Sequence, residues 1–414
     1  LPPRLNAGGL ARIGVNGTAN RLRELPNVNA RQIGLIQPGS TITVLDGPSC
    51  EETSHIIWWR VDDNGTVGWT AEGVLPGDYF LAPLGSSLPS ERSLITSANA
   101  DTLVPLSTIS LAGVNSVAFS PDGTLIALGG RSGLSVYNMA TLSFLTTLSD
   151  ISTPVAEIAF SPDGRVLAYT TLDGRLLLRD TLNGAATQLV NASNDRHASL
   201  SFNPAQGALL ASGSGVPVSA VLRPSAWRFY DLSTQQEVLT QTTDDWVRAV
   251  AFSLDGTLFA WMDNAVHIIE VDGSVSVATL ALEEIPFRGL AWRPAPIGVE
   301  PAQALAFPDG AMVRLVDLDA STEQTYLGDD GFIPQAIGFN ADGTLLAAMD
   351  TPVSDTSGST VNLFDVDTGD LIASTLLQAS QAISFSPDST LLVVASLDEV
   401  VFLGVSAEEV EAVG

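Results

Sequence analysis

The chain has 414 residues, 45% hydrophobic and 15% charged, and its 46 Asp and Glu outweigh 18 Arg for a net charge of −28. Such a surface cannot displace counterions from phosphates and is repelled by anionic headgroups, which excludes nucleic-acid and acidic-membrane binding. A mean hydropathy of +0.26 supplies enough apolar surface for a large core, which excludes disorder, and the length allows two domains or one large all-β domain. The charge is uneven: residues 1–100 hold seven Arg and nine acids, whereas after Arg314 there are 17 acids and neither Arg nor His. No apolar run reaches the ~18–20 residues that span a bilayer as a helix.

Residues 1–83 read as a small β-barrel. Asn20-Arg21-Leu22-Arg23 leads to Pro26, then come Ile33-Gly34-Leu35-Ile36-Gln37-Pro38-Gly39, Thr43-Val44-Leu45, Trp58-Trp59-Arg60-Val61 and Gly65-Thr66-Val67-Gly68-Trp69. Asp62-Asp63-Asn64-Gly65 carries the Asn-Gly pair of a tight hairpin. The opening before Pro26, the Pro38-Gly39 turn, the central Trp pair and the Gly68-Trp69 ending resemble a bacterial SH3 (SH3b) domain. That resemblance implies binding of cell-wall or cell-surface material, or a tethering role. It also implies an exported protein, extracellular or at the cell surface, with a signal or anchor removed ahead of Leu1. Trp58, Trp59, Trp69 and Tyr79 are the candidate ligand contacts. On a regular strand Trp58 and Trp59 point to opposite faces, so one is core and the other reaches the surface. The single Cys50 excludes an intrachain disulfide and, with no basic partner nearby, reads as an unreactive thiol.

Residues 84–101, including Gly85-Ser86-Ser87-Leu88-Pro89-Ser90, read as a short polar linker. Beyond it, residues 102–414 repeat a phrase of apolar, small, aromatic, Ser-Pro-Asp-Gly. It is complete at Val117–Gly123 and Ile158–Gly164 and looser at Leu200–Pro204, Val250–Gly256, Leu290–Pro294, Ile337–Gly343 and Ile383–Ser389. Its aromatics at 119, 160, 202, 252, 292, 339 and 385 recur at a blade-sized period, and 3.6-residue helical periodicity is absent. Each phrase ends a strand in a turn where Pro sets φ and Gly accepts a positive φ. An apolar strand follows, then a third strand closing on an acid, as in Arg179-Asp180, Tyr230-Asp231 and Phe364-Asp365. Seven such units predict a seven-bladed β-propeller. The last unit ends after its third strand, so Thr102–Ile109, ahead of the first unit, is expected to supply the missing outer strand and close the ring.

The repeats resemble the WD40 family over residues 101–407, which implies a platform for protein contacts. The family's Trp-Asp pair is replaced here, Gly-His dipeptides do not occur, and its buried His–Asp network is expected to be missing.

Catalytic and metal chemistry find little support. His55, His197 and His267 lack metal-ligand spacing, and no Gly-x-Ser-x-Gly elbow occurs. Asp365-x-Asp367-x-Gly369 and Asp317-x-Asp319 look like calcium loops but lack a third acid and a terminal Glu, and Asp serves hairpin turns well. Asp317, Asp319, Asp329, Asp330, Asp365 and Asp367 are therefore candidate contacts for a cationic or Arg-rich protein partner, with no cofactor or metal expected. The sequence predicts a non-enzymatic exported scaffold, the propeller contacting proteins and the barrel tethering it to the envelope, a glycan or a neighbouring subunit of a surface assembly. The alternative is a propeller enzyme or glycan-binding lectin with its site in the central channel.

Overall fold

The computed structural model describes Leu5 and residues 9–405 except 14–18, 52–55, 75–77, 85–87, 90–91, 141, 148–152, 183, 191–194, 218–224, 274, 285–288, 296–301, 328–332, 351–357, 379 and 397. Alternating burial builds the N-terminal barrel. Its strands lie in the order Leu81–Leu84, Leu10–Ile13, Thr41–Glu51, Ile56–Asp63, Thr66–Val74, Asn20–Arg23, Gln32–Ile36. They enclose Ala11, Ile13, Leu22, Ile36, Val44, Trp59 and Val61. Asn64 and Gly65 form the expected hairpin turn with φ of 50° and 89°, and the Gly65 amide donates to Asp62 Oδ1 at 2.7 Å.

Asp78–Tyr79 pairs with Thr66–Val74 beside that order, and the remaining strands form seven four-stranded antiparallel blades, six of them separate sheets and the first joined edge to edge to the barrel sheet. Blade 1 runs from the inside outward as Val114–Phe119, Leu125–Gly130, Gly133–Asn138 and Ser143–Thr147. The inner strands of blades 2–6 are Val155–Phe160, Asp195–Phe202, Ala249–Phe252, Ala291–Trp292 and Pro334–Phe339. Blade 7 takes Ser380–Phe385, Leu392–Ser396 and Val400–Val405 from the C-terminal end and Leu103–Ile109 as its outer strand. Inner strands of neighbouring blades touch all the way round, blade 7 to blade 1 included, so the N-terminal strand closes the ring.

Each pair of neighbouring blades encloses its own apolar core. Blades 3 and 4 share the richest, where Trp227, Phe229, Phe252, Phe259 and Trp261 pack with ring centroids 4.7–6.1 Å apart. Burying a side chain of this size stabilises by about 1.5–3 kcal/mol, and this is what joins sheets that share no backbone hydrogen bonds.

The repeated phrase is a hydrogen-bonded unit. In blade 1 the Ser120 hydroxyl donates to Asp122 Oδ1 at 2.6 Å and accepts the Leu125 amide at 2.9 Å, while the Thr124 amide donates to the same carboxylate. Ser161/Asp163, Ser253/Asp255 and Ser386/Asp388 repeat the pattern, and Asn340 takes the part of Ser in blade 6. Gly123, Gly164, Gly256 and Gly343 hold φ near 70°, and Ser389 adopts 54° in the seventh copy.

The segment joining barrel to ring is more than a polar linker. Leu88 is buried in the core between blades 7 and 1, and Ile95 in the core between blades 6 and 7. The Ile95 amide donates to the Ser389 carbonyl at 2.9 Å, and Arg92 Nε donates to the Thr390 hydroxyl at 3.0 Å. The polar composition hid this because two apolar residues suffice to pin the strap beneath blade 7. Just ahead of the strap, Leu84 pairs with Ser143 on the outer strand of blade 1.

Candidate interaction surface

Because strands alternate in direction, all seven inner strands start on one face, here called the upper face, and end on the lower face in the Ser-Pro-Asp-Gly turns. At the upper mouth of the channel they surround a cavity of about 240 Å³. Asn115, Glu157, Ser199, Arg248, Gln335 and Gln381 bring polar groups from six blades, between aliphatic residues such as Val117, Val250 and Ile337. The volume equals that of about eight waters, enough for one side chain or a small polar ligand.

The two charged members are held differently. Ser116 Oγ donates to Glu157 Oε1 at 2.8 Å. Arg248 is tied into the loop before the inner strand of blade 4: it donates to the carbonyls of Asp263 at 2.9 Å and Trp246 at 3.2 Å and pairs with Asp245 at 3.7 Å. Its guanidinium stands 5.7 Å from the centre of the Trp246 ring, which is 41% exposed. This rim of rigid aromatic, cation, carboxylate and amides suits recognition of a polypeptide surface, since Trp and Arg dominate binding energy where they anchor interfaces. Among the described residues no group of three His, Cys, Asp or Glu is placed to hold a metal ion.

Behind the rim, acids on the turns between second and third strands tie the loops down, in one blade with a partly exposed histidine of its own third strand and in two with arginine, without any Gly-His histidine. In blade 4, Asp263 Oδ1 lies 3.1 Å from His267 Nε2, and the imidazole stacks on Trp261 at 4.7 Å. Burial works to raise the Asp263 pKa, but bonds from His267 and the Ala265 amide outweigh it and hold it below the usual value. In blade 2 Asp173 binds Thr171, Thr153 and Arg175. In blade 5 fully buried Asp309 accepts the Glu283 and Glu284 amides at 2.7 and 3.0 Å and Arg314 Nη1 at 2.8 Å. Arginine takes over the tying role in two of three blades, so a search for histidine misses it.

The structure does not bring the sequence-predicted contacts together. Trp58 and Trp59 are both buried, against the expectation that one would reach the surface. The pairing of their strand with Thr66–Val74 shifts register between Ile57 and Trp58, so alternation fails, and Ile57, Trp58 and Trp59 are buried in succession. Trp59 Nε1 donates to buried Glu72 at 2.6 Å, and its ring packs on Gly47. Trp69 is half-buried, and the Tyr79 side chain lies outside the described residues. Asp317 caps the Ala320 amide at 2.8 Å and Asp319 accepts the Gln303 amide at 3.1 Å. Asp365 caps the Asp367 and Thr368 amides at 3.0 and 2.9 Å, as the turn reading requires. Asp329 and Asp330, like His55, lie outside the described residues. The acidic C-terminal blades also receive cations from elsewhere: Arg293 of blade 5 pairs with Asp367 at 2.6 Å and Arg92 of the strap with Asp388 at 3.5 Å. Trp246 and Arg248 escaped the sequence reading; their only signal is a Trp and an Arg just ahead of an inner strand.

Comparison with known proteins agrees with both modules. The family described as bacterial SH3 domain matches residues 17–76, and that described as WD domain, G-beta repeat matches residues 104–134. The second match begins in the closing strand of blade 7 and ends in the third strand of blade 1, so the sequence repeat is staggered against the blade. The chain is also 29% identical over 178 residues to "WD repeat-containing protein SL1-17" of Schistosoma mansoni. That match covers 40% of this chain and 57% of the relative's length.

Proposed function

For a chain that joins a bacterial SH3 domain to a WD40-like seven-bladed propeller, we propose the role of a non-enzymatic, exported scaffold. The propeller binds a protein partner across its upper face, while the barrel tethers the ring to the cell envelope or to a neighbouring subunit. The observation that carries this reading is the rim at the channel mouth, where exposed Trp246 and loop-anchored Arg248 stand beside Glu157 and a ring of amides and hydroxyls. The strap and the Leu84–Ser143 pair support the tether, since they fasten the barrel to the ring rather than leaving it on a free chain.

The test is quantitative retention of envelope proteins from the source cells on the immobilised full chain and on a Trp246→Ala/Arg248→Ala variant. Proteins held by the wild type should fall at least ~10-fold on the variant, about 1.4 kcal/mol, with the variant still folded by circular dichroism. Equal retention by both would sink the reading.

A further inference from the structure

The lower side of the ring holds a second open feature, between blades 1 and 2. The third strands of all seven blades carry one equivalent residue, set by its pairing with the second strand: Tyr137, Arg179, Tyr230, Ile269, Val316, Phe364 and Leu403. Six of them are apolar or aromatic, none more than 9% exposed, and each fills the seam between its blade and the preceding one. Blade 2 alone places an arginine there.

The seam it leaves unfilled is an open groove of about 360 Å³, lined by Leu125, Val136, Leu145, Phe160 and Leu167 together with Arg179 and its neighbour Asp180. The Arg179 side chain forms no salt bridge or hydrogen bond with a described residue. The adjacent Asp180 turns back to accept the Leu182 amide at 2.8 Å. Gly184, at φ 72°, passes over the guanidinium so closely that an added Cβ would lie 3.2 Å from Nη2, so the turn leaves room for the cation. Leu145 and Leu182 stand exposed at the rim, 51% and 83%.

We propose that this groove docks an extended segment of a partner protein that carries a carboxylate beside large apolar side chains, with Arg179 binding the carboxylate. Charge complementarity selects the anion: a guanidinium with no partner among the described residues, beside large apolar side chains, gains most from a carboxylate, which its planar fork binds bidentately. The neighbouring backbone selects a polypeptide over a fatty acid. The strand carrying Leu145, Ser143–Thr147, is the outer strand of its blade, so the main-chain groups of a strand edge stand beside the groove. This site lies on the opposite side of the ring from the channel mouth and stands whether or not the upper face binds protein.

The test pans a random nonapeptide library on the full chain and on Arg179→Met, then measures the selected peptides by fluorescence polarisation. Wild-type selections should place Asp or Glu within two residues of Leu, Ile or Phe. Their affinity should fall at least ~10-fold on Arg179→Met and equally on exchange of the peptide acid for its amide. Arg179→Tyr, the residue of blades 1 and 3, should abolish binding and raise the melting temperature by ~1–3 °C by filling the seam. Identical selections on both proteins, no enrichment, or oleate displacing the peptides with the same Arg179 dependence would overturn the proposal. So would a destabilised Arg179→Tyr protein, which would make the guanidinium a structural group.

Discussion

His197 offers a quantitative test of the packing between blades 2 and 3. It lies on the inner strand of blade 3, 2% exposed, with Nδ1 3.1 Å from Ser212 Oγ and no partner for Nε2 among the described residues. Burial, and secondarily the Arg228 guanidinium, lower its pKa from 6.5 to about 4, because protonation would put a charge and a second N–H into a buried site with no acceptor for Nε2 among the described residues. The unfolded chain takes up the proton near pH 6.5 and the folded chain only near pH 4. Between those values the unfolded state binds more protons, so the neutral imidazole's contribution is fully present above pH 6.5 and is lost as pH falls toward 4. At about 1.4 kcal/mol per pKa unit the loss across that window is roughly 3 kcal/mol. Urea unfolding followed by Trp fluorescence at pH 7.5, 6.0, 5.0 and 4.5 measures it against His197→Gln, which keeps a partner for Ser212 without titrating. The wild type should lose ~2–3 kcal/mol more than the variant between pH 7.5 and 4.5. Bonds from Ser120 and Ser161 first among their causes lower the pKa of Asp122 and Asp163, so these acids titrate below the window, and in both proteins alike. Parallel pH profiles would refute the assignment.

Two substitutions probe the other structural claims. Asp309→Ala removes the acceptor of two backbone amides and one partner of Arg314, and should cost about 3–5 kcal/mol by denaturant midpoint. A loss below ~1 kcal/mol would show that the loop before blade 5 holds without it. Gly47→Ala places a Cβ 2.7 Å from Trp59 Cε3 at a φ of 133°, and should destabilise the barrel by at least ~2 kcal/mol while the propeller's own transition stays put. Differential scanning calorimetry separates the two, and an unshifted barrel transition would contradict the packing of Trp59 on that turn.

What was legible in the sequence was what short-range bonding determines. The Ser-Pro-Asp-Gly phrase closes its hydrogen bonds within five residues, from Ser120 to Leu125, so it marked the blades and their number without any long-range information. The closing strand followed from counting, since a ring of four-stranded sheets with one incomplete member has one place for Leu103–Ile109. What escaped depends on residues far apart. Asp309 meets Glu283 and Glu284 more than 20 positions away, and Arg92 meets Thr390 across nearly 300. The burial of both Trp58 and Trp59 turns on a one-residue register shift that no composition records. Arg179 looked like a simple departure from Trp-Asp until its register set it beside six buried apolar equivalents. The charge of the last hundred residues looked like an open invitation to a cation, but Arg293 and Arg92 already answer part of it.

The central claim is that the upper face around the channel is where this protein meets its partner. Site-specific photo-crosslinking in the source cells tests it most directly, with benzoylphenylalanine placed at Trp246 on that face or at Leu376, 72% exposed on the outer strand of blade 6. The account predicts a discrete protein adduct from position 246 and none from 376. Adducts of equal yield at both positions, or an adduct from 376 alone, would contradict it.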